Sequence, residues 1–356
     1  MSGSYLTDGA IGETRRVMFE DGRATRIDIA RWSDEGRRAR WGSLYCARVR
    51  AIDAGRRGAF LNLGLKDEQG YLPFDSHGHM RIGENQHRPV IEGEALIVRI
   101  TREGAAGKNP VVGFIEDAPP GAPTERIIAH ERDQDPQAIP PETLERREEI
   151  DVAIDAALAP TVPLKGGGHL TIERTSALTA IDVDAGSRKG GGDSDLFARD
   201  LNIEAAQEAM RQLILRGQGG IAAIDFVSMR GAERRKEVEA ALKEAAKRDH
   251  WTAIIAPMSR FGIIELSRAQ LTRPIADILL DRAGNKTPET IALEALRAIE
   301  RENASVRGRK IVATLPQAAI DWLDQMTIPW RTALEARIGV LWEIEAGGAK
   351  TEVRAV

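Results

Sequence analysis

The feature that most constrains this chain is an apolar strand interrupted by an aspartate, and it occurs twice. Residues 178–184 read Leu178-Thr179-Ala180-Ile181-Asp182-Val183-Asp184, and residues 220–227 read Gly220-Ile221-Ala222-Ala223-Ile224-Asp225-Phe226-Val227. Between them, from about 195 to 216, Leu201, Ala205, Ala209 and Leu213 recur at helical spacing, and Gly217 supplies a stop. A strand at 170–173 precedes the first aspartate strand. A helix from about 232 to 248, with Val238, Ala241, Leu242 and Ala245, and a strand at 252–258 follow the second. Strands alternating with amphipathic helices predict an α/β unit over this part of the chain.

Alternate residues of a strand face opposite sides. Ile181 and Val183 therefore face one way, and Asp182 and Asp184 the other. Asp225 breaks an otherwise apolar run, and a carboxylate buried without a partner is costly, so its presence calls for a purpose. Carboxylates suit magnesium, which takes oxygen ligands, keeps several waters and completes its shell with one or two carboxylates plus a substrate phosphate. Such an ion activates water and offsets charge on a phosphoryl centre, and nearby Lys or Arg adds to that stabilisation. Spacing alone also allows aspartates that cap a helix or pair with arginine. There is no Walker A segment, no Gly-x-Ser-x-Gly elbow and no His-Glu-x-x-His helix. Gly190-Gly191-Gly192 reads as a flexible loop rather than a phosphate cradle, Ser76-His77-Gly78-His79 as an exposed turn rather than a shared metal site, and His169, beside the glycine run, as a polar surface residue rather than a substrate contact.

Residues 10–32 read as short strands, with Asp21-Gly22 as a hairpin signal. Strand-like stretches at 44–52, 58–63, 70–74 and 95–101, separated by Gly-bearing turns, predict a small barrel. Phe60 and Tyr71 on such a barrel offer bases a stacking surface, or else serve as core. Residues 37–115 hold 13 Lys and Arg against 8 Asp and Glu, although the whole chain carries a net charge of −4. A local basic field can still attract RNA. Residues 116–145 form a Pro-rich crossing segment, and 142–158 carry a helical pattern. Thr287-Pro288 marks an N-cap with proline at the first helical position, and 308–356 form a small terminal domain. The single cysteine, Cys46, excludes an internal disulfide and a cysteine-rich zinc site. With no long apolar run and no signal pattern at Met1-Ser2-Gly3-Ser4, a cytoplasmic protein without membrane contact is expected.

Three ordered segments resemble the ribonuclease E/G family. They are Gly167-Gly168-His169-Leu170-Thr171-Ile172-Glu173-Arg174-Thr175-Ser176-Ala177-Leu178-Thr179-Ala180-Ile181-Asp182-Val183, Ile224-Asp225-Phe226-Val227-Ser228-Met229, and Ser259-Arg260-Phe261-Gly262-Ile263-Ile264-Glu265-Leu266-Ser267-Arg268. Asn202-Ile203-Glu204-Ala205-Ala206 and Gly219-Gly220 fall between them in the family's order. The resemblance implies an α/β multidomain fold. Residues 1–36 and 119–168 would form a discontinuous RNase H-like scaffold, interrupted by an OB-type (S1-like) barrel at 37–118. A DNase I-like catalytic domain would cover 169–282, a linker helix 283–303 and a small α/β C-terminal domain 304–356. By the same resemblance, Asp182 and Asp225 are the magnesium ligands, with Mn²⁺ as a substitute, and Asp184 stands where the family has asparagine. Phe60 and Tyr71 match base-stacking aromatics, and Lys108 matches a lysine that contacts the RNA backbone.

Two departures shape the expected activity. The family's long insertion that senses a 5′ monophosphate is replaced by the short Pro-rich stretch, and Thr252 stands in place of the sensor's arginine. The Cys-x-x-Cys zinc link is missing, because the chain passes from Leu280 through Asn285-Lys286 to Thr287. The resemblance therefore implies an endoribonuclease of single-stranded RNA with little dependence on the 5′ end and no zinc, and it leaves a metal-free homodimer open. It would leave 5′-phosphate and 3′-hydroxyl ends. Rival expectations are an RNA-binding relative that has lost catalysis, with Asp184 as the motive, and a phosphodiesterase acting on DNA or another phosphate ester.

Overall fold

A computed structural model describes residues 4–356 except 54, 85, 106, 130–141, 189–193, 250, 307, 328 and 349. Gly190-Gly191-Gly192 lies outside the described residues, as does much of the Pro-rich crossing segment.

The chain begins with an antiparallel meander of β1 (Ser4–Ala10), β2 (Glu13–Glu20) and β3 (Arg23–Arg31). Its second turn is the Asp21-Gly22 pair, with φ of 50° and 71°. Two consecutive left-handed residues match the twist of a two-residue hairpin, which is why this dipeptide signals the turn in sequence.

The barrel follows: β4 (Leu44–Asp53), β5 (Gly58–Asn62), β6 (Gly70–Pro73), the short hairpin β7 (Met80–Arg81) and β8 (His87–Arg88), then β9 (Ala95–Arg102), β10 (Val111–Asp117) and β11 (Arg126–Ala129). Its sheet runs β11-β4-β5-β6-β10-β9, and a further β4–β9 pairing closes five strands on themselves, as in an OB-type barrel. Val49, Leu61, Leu63, Leu72, Leu96, Val98 and Ile100 fill the inside. The crossing segment is not wholly a linker, because β11 pairs with the edge of β4.

After α1 (Leu144–Leu158) comes a six-stranded sheet of β12 (Thr161–Pro163), β13 (His169–Arg174), β14 (Thr179–Asp184), β15 (Gly220–Asp225), β16 (Ala253–Ile255) and β17 (Ile263–Arg268), ordered β12-β13-β14-β15-β17-β16. Only β14 and β15 run parallel; helix α2 (Ser194–Leu215) makes their crossover. Its C-terminus is a Schellman turn. Gln218 donates to the Leu213 carbonyl at 2.8 Å and Gly217 to Ile214 at 3.0 Å, with Gly217 at φ 64°. Helix α2 and α3 (Ala232–Ala246) cover one face of the sheet, where Leu170, Ile181, Val183, Ile224, Ile264 and Leu266 pack against Leu201, Ala205, Leu213, Val238 and Leu242.

The chain then passes through α4 (Ile275–Leu279) to α5 (Pro288–Ser305). Thr287 caps α5, its hydroxyl accepting from the Thr290 N–H at 3.2 Å with Pro288 next in sequence. The last unit packs β18 (Ile311–Leu315), α6 (Gln317–Gln325), α7 (Trp330–Ile338), β19 (Trp342–Ala346) and β20 (Glu352–Ala355) against α5, in a sheet ordered β19-β18-β20. Ile11 and Trp32 of the N-terminal region are part of its core.

Candidate active site

The two aspartate strands lie side by side, in register. Asp182 on β14 is the Cα partner of Asp225 on parallel β15. Across β13, Thr171 stands opposite Asp182 and His169 opposite Asp184. All these residues sit on the sheet face that α2 and α3 leave uncovered, so Asp182, Asp184 and Asp225 are exposed. This corrects the expectation, drawn from the apolar sequence of β15, that Asp225 is buried. Ile221 and Ala223 share its open face, and Ile221 is 53% exposed. The strand is apolar on both sides although only one side meets the core.

Among the described residues neither the Asp182 nor the Asp225 side chain has a hydrogen bond or an ion pair. The rival roles, capping a helix or pairing with arginine, therefore find no support in their surroundings. Asp184 differs. One of its oxygens accepts from the Gly186 N–H at 2.7 Å, and the other lies 3.9 Å from His169 Nε2. His169, read from sequence as a polar surface residue, thus faces the site. No group of three or more His, Cys, Asp or Glu side chains is arranged to hold a metal among the described residues. The adjacent pair offers two carboxylates free of protein cations on a face open to solvent, the donor type that magnesium takes when waters and a phosphate complete its shell.

Backbone packing fixes the pair. Asn202 of α2 uses both ends of its amide on Val227, two residues beyond Asp225: Nδ2 donates to the Val227 carbonyl at 2.7 Å and Oδ1 accepts its N–H at 3.0 Å. Asn202 is fully buried. Gly168, at φ 82°, passes so close to β14 that a Cβ would lie 2.5 Å from the Asp184 carbonyl oxygen. The glycines before β13 thus allow β13 and β14 to approach. A side chain at Gly219 would likewise meet the Ala269 carbonyl at 2.7 Å.

The barrel holds the second group of expected residues. Phe60 and Tyr71 are register partners on β5 and β6, with ring centroids 5.7 Å apart. Both are half-buried on the outside of the barrel, so neither belongs to its core. Tyr71 lies over Gly58 and donates its hydroxyl to the Arg56 carbonyl at 2.6 Å. Lys108 is exposed, in a loop whose Pro110 carbonyl accepts from the Tyr71 N–H at 2.8 Å. Beside them lies a cavity of about 640 Å³ lined by Arg50, Asn62, Lys66, Gln69 and Asn109, among others. Sequence reasoning missed this cavity, though Asn62 stands two residues from Phe60 on the same face. The Ser76–His79 turn is held by Asp75, which accepts from the His77 and His79 N–H groups at 2.8 and 2.9 Å. It is an exposed turn, as its sequence predicts.

A half-buried carboxylate joins the barrel to the sheet. Glu103 accepts from the Trp41 N–H and the Arg273 N–H, each at 2.9 Å, while its own N–H donates to the Leu271 carbonyl at 2.8 Å. Burial pushes the Glu103 carboxyl above its usual range, against the pull of those donors and of Arg273.

Residues 115–271, which hold both aspartate strands, match the model of the Ribonuclease E/G family. This stretch is similar to the ribonuclease E/G family. Ribonuclease E of Escherichia coli (strain K12) is 34% identical over 182 residues, 49% of this chain and 17% of that protein. Ribonuclease E of Haemophilus influenzae is 32% identical over the same length, 20% of that protein. Ribonuclease G of Escherichia coli is 34% identical over 160 residues, 43% of this chain and 33% of that protein. The chain thus spans a third or less of each of these relatives. The matched region takes in the whole sheet, α2 and α3, and it begins within β10 of the barrel.

Proposed function

We propose that this chain is a metal-dependent endoribonuclease that cuts single-stranded RNA. The observation that carries the reading is the register pair Asp182 and Asp225, unpartnered on an open sheet face inside a ribonuclease E/G region. In this reading the pair holds Mg²⁺, or Mn²⁺ in its place, and the bound ion supplies an activated water and charge neutralisation at phosphorus. Asp184 accepts from Gly186 and flanks the pair, adding negative charge next to the ion's ligands. Asn202 keeps Asp225 in register by gripping Val227. Phe60 and Tyr71 stack bases, and Lys108 contacts a phosphate. Water adds to the scissile phosphorus and the 3′-oxygen leaves, giving 5′-phosphate and 3′-hydroxyl ends. With Thr252 in place of a sensor arginine, the RNA's 5′ end has little influence.

The same reading takes the meander with α1 as an RNase H-like scaffold and the six-stranded sheet with its helices as a DNase I-like catalytic domain. It places the protein in the cytoplasm, without zinc, and allows a homodimer. Among the described residues no helix is long and apolar enough to cross a membrane.

The test is cleavage of an end-labelled, AU-rich single-stranded RNA in Mg²⁺ by the wild type and by Asp225→Asn. Internal cuts by the wild type, lost in the variant and in EDTA, are expected. RNA bound but uncut by both would leave an RNA-binding relative instead. Equal cutting of DNA of matched sequence would argue for a general phosphodiesterase.

A further inference from the structure

The turn between β16 and β17 ends beside the carboxylate pair. Ile263, where β17 begins, is the register partner of Asp225, and the Phe226 N–H donates to the Gly262 carbonyl at 3.3 Å. The turn is braced from within. Ser259 donates to the Ile263 carbonyl at 2.8 Å, and Gly262 to the Ser259 carbonyl at 3.1 Å. The Ser259 hydroxyl accepts from the Phe261 and Ile263 N–H groups, each at 3.3 Å. Gly262 takes φ 90°, a conformation that side chains strain. The tip is therefore a fixed presentation, and what it presents is Phe261, 72% exposed. The Arg260 guanidinium stands 4.8 Å from the ring centroid and has no carboxylate partner among the described residues.

A rigidly held open ring next to an unneutralised arginine is the combination by which proteins hold single-stranded nucleic acid: the ring stacks on a base and the cation meets the phosphate beside it. We propose that Phe261 and Arg260 form a nucleotide subsite at the point of cleavage, separate from the barrel aromatics. Phe261 stacks on a base flanking the scissile phosphate, and Arg260 pairs with a neighbouring phosphate. This rests on the reading that single-stranded RNA is cut at Asp182 and Asp225. Its consequence is register. The barrel grips the strand on a different sheet, and the turn fixes which phosphate lies over the carboxylates.

The experiment measures binding of fluorescent single-stranded RNA to the full chain in EDTA, where cleavage plays no part. The RNAs are an intact oligonucleotide and a series with one abasic nucleotide stepped along it. Phe261→Ala should weaken binding of the intact RNA roughly tenfold, and Phe261→Trp should restore it. For one abasic position, wild type and Phe261→Ala should bind alike, because the base that the ring holds is gone. Arg260→Gln should flatten the dependence of log affinity on log salt by about 0.7, the contribution of one single-strand phosphate. Unchanged affinity in Phe261→Ala, or an equal loss on every abasic RNA, overturns the subsite while leaving the nuclease reading intact. If the wild type binds no RNA, both fall. If Asp225→Asn still cuts RNA but the abasic pattern holds, the carboxylate assignment falls and with it the subsite's place at the point of cleavage, while the stacking of Phe261 on a base stands.

Discussion

At Asp182 and Asp225, carboxyl groups face solvent with no cation of the described protein beside them, whereas Asp184 is bonded to its own turn. That difference separates their expected responses. Asp184→Asn can keep the bond from Gly186 through its amide oxygen, so its melting temperature should stay within about 2 °C of wild type. It removes one negative charge beside the pair, so the Mg²⁺ concentration for half-maximal cleavage should rise about threefold. A complete loss of cleavage would instead make the Asp184 carboxylate indispensable. In the barrel, Phe60→Ala should cost about 1–3 kcal/mol of RNA affinity if the ring stacks on a base. Fluorescence anisotropy checks this, and unchanged affinity in a folded variant would refute it. Phe60 and Tyr71 were legible in sequence as candidates only. Core and surface aromatics look alike until a sheet assigns them a face.

Elements convert such residues into a site by fixing their spacing. The parallel crossover through α2 sets Asp182 against Asp225, which lie 43 positions apart in the chain. Strand and helix periodicity shows that 178–227 is β-α-β, and Gly217 marks where α2 ends. Periodicity does not show which face the helices cover, and for that reason Asp225 reads as buried in sequence and is exposed in the fold. Glu103 acts at this same scale. Its carboxylate holds the backbone N–H groups of Trp41 and Arg273, linking the barrel to the loop after β17. Glu103→Ala should leave those donors without a partner and lower stability by about 1–3 kcal/mol, measured by urea denaturation. Cleavage should fall further than binding of short RNA, because the barrel is freed from the catalytic sheet. Parallel losses in both would contradict that role.

Across the whole molecule, a largely buried ionic cluster joins the first strands to α1 and α5. Asp8 meets Arg15 at 2.6 Å and Arg147 at 2.9 Å, Arg147 also meets Glu300, and Arg15 and Arg301 meet Asp151. Burial opposes ionisation of Asp151, but Arg15, Arg297 and Arg301 outweigh it and hold the carboxyl below its usual range. Glu208 is lowered in the same way, burial being outweighed by Arg211, Gln212 and Arg23. Both carboxylates take up protons more readily when unfolded. Their stabilisation is therefore present above the ordinary carboxylate range, about pH 4, and is lost as pH falls through their lower folded values. The melting temperature should hold between pH 5 and 7 and drop below about pH 4. Asp151→Asn should start lower and fall less steeply; an identical acid profile would contradict the assignment.

The sequence by itself determined the local devices. The Asp21-Gly22 hairpin, the Thr287-Pro288 cap, the Gly217 stop and the alternation that puts Asp182 and Asp184 on one side of a strand all depend on a few adjacent residues and their backbone preferences. Its ordered motifs also carried the family resemblance across 164–272. Only the tertiary structure decided that Asp182 and Asp225 share a register, that their face of the sheet is open, that His169 faces Asp184, and that Phe261 is held up beside Asp225. Each of these depends on which strand pairs with which and where α2 and α3 pack. Such pairings join residues far apart in the chain, and no short stretch of sequence encodes them.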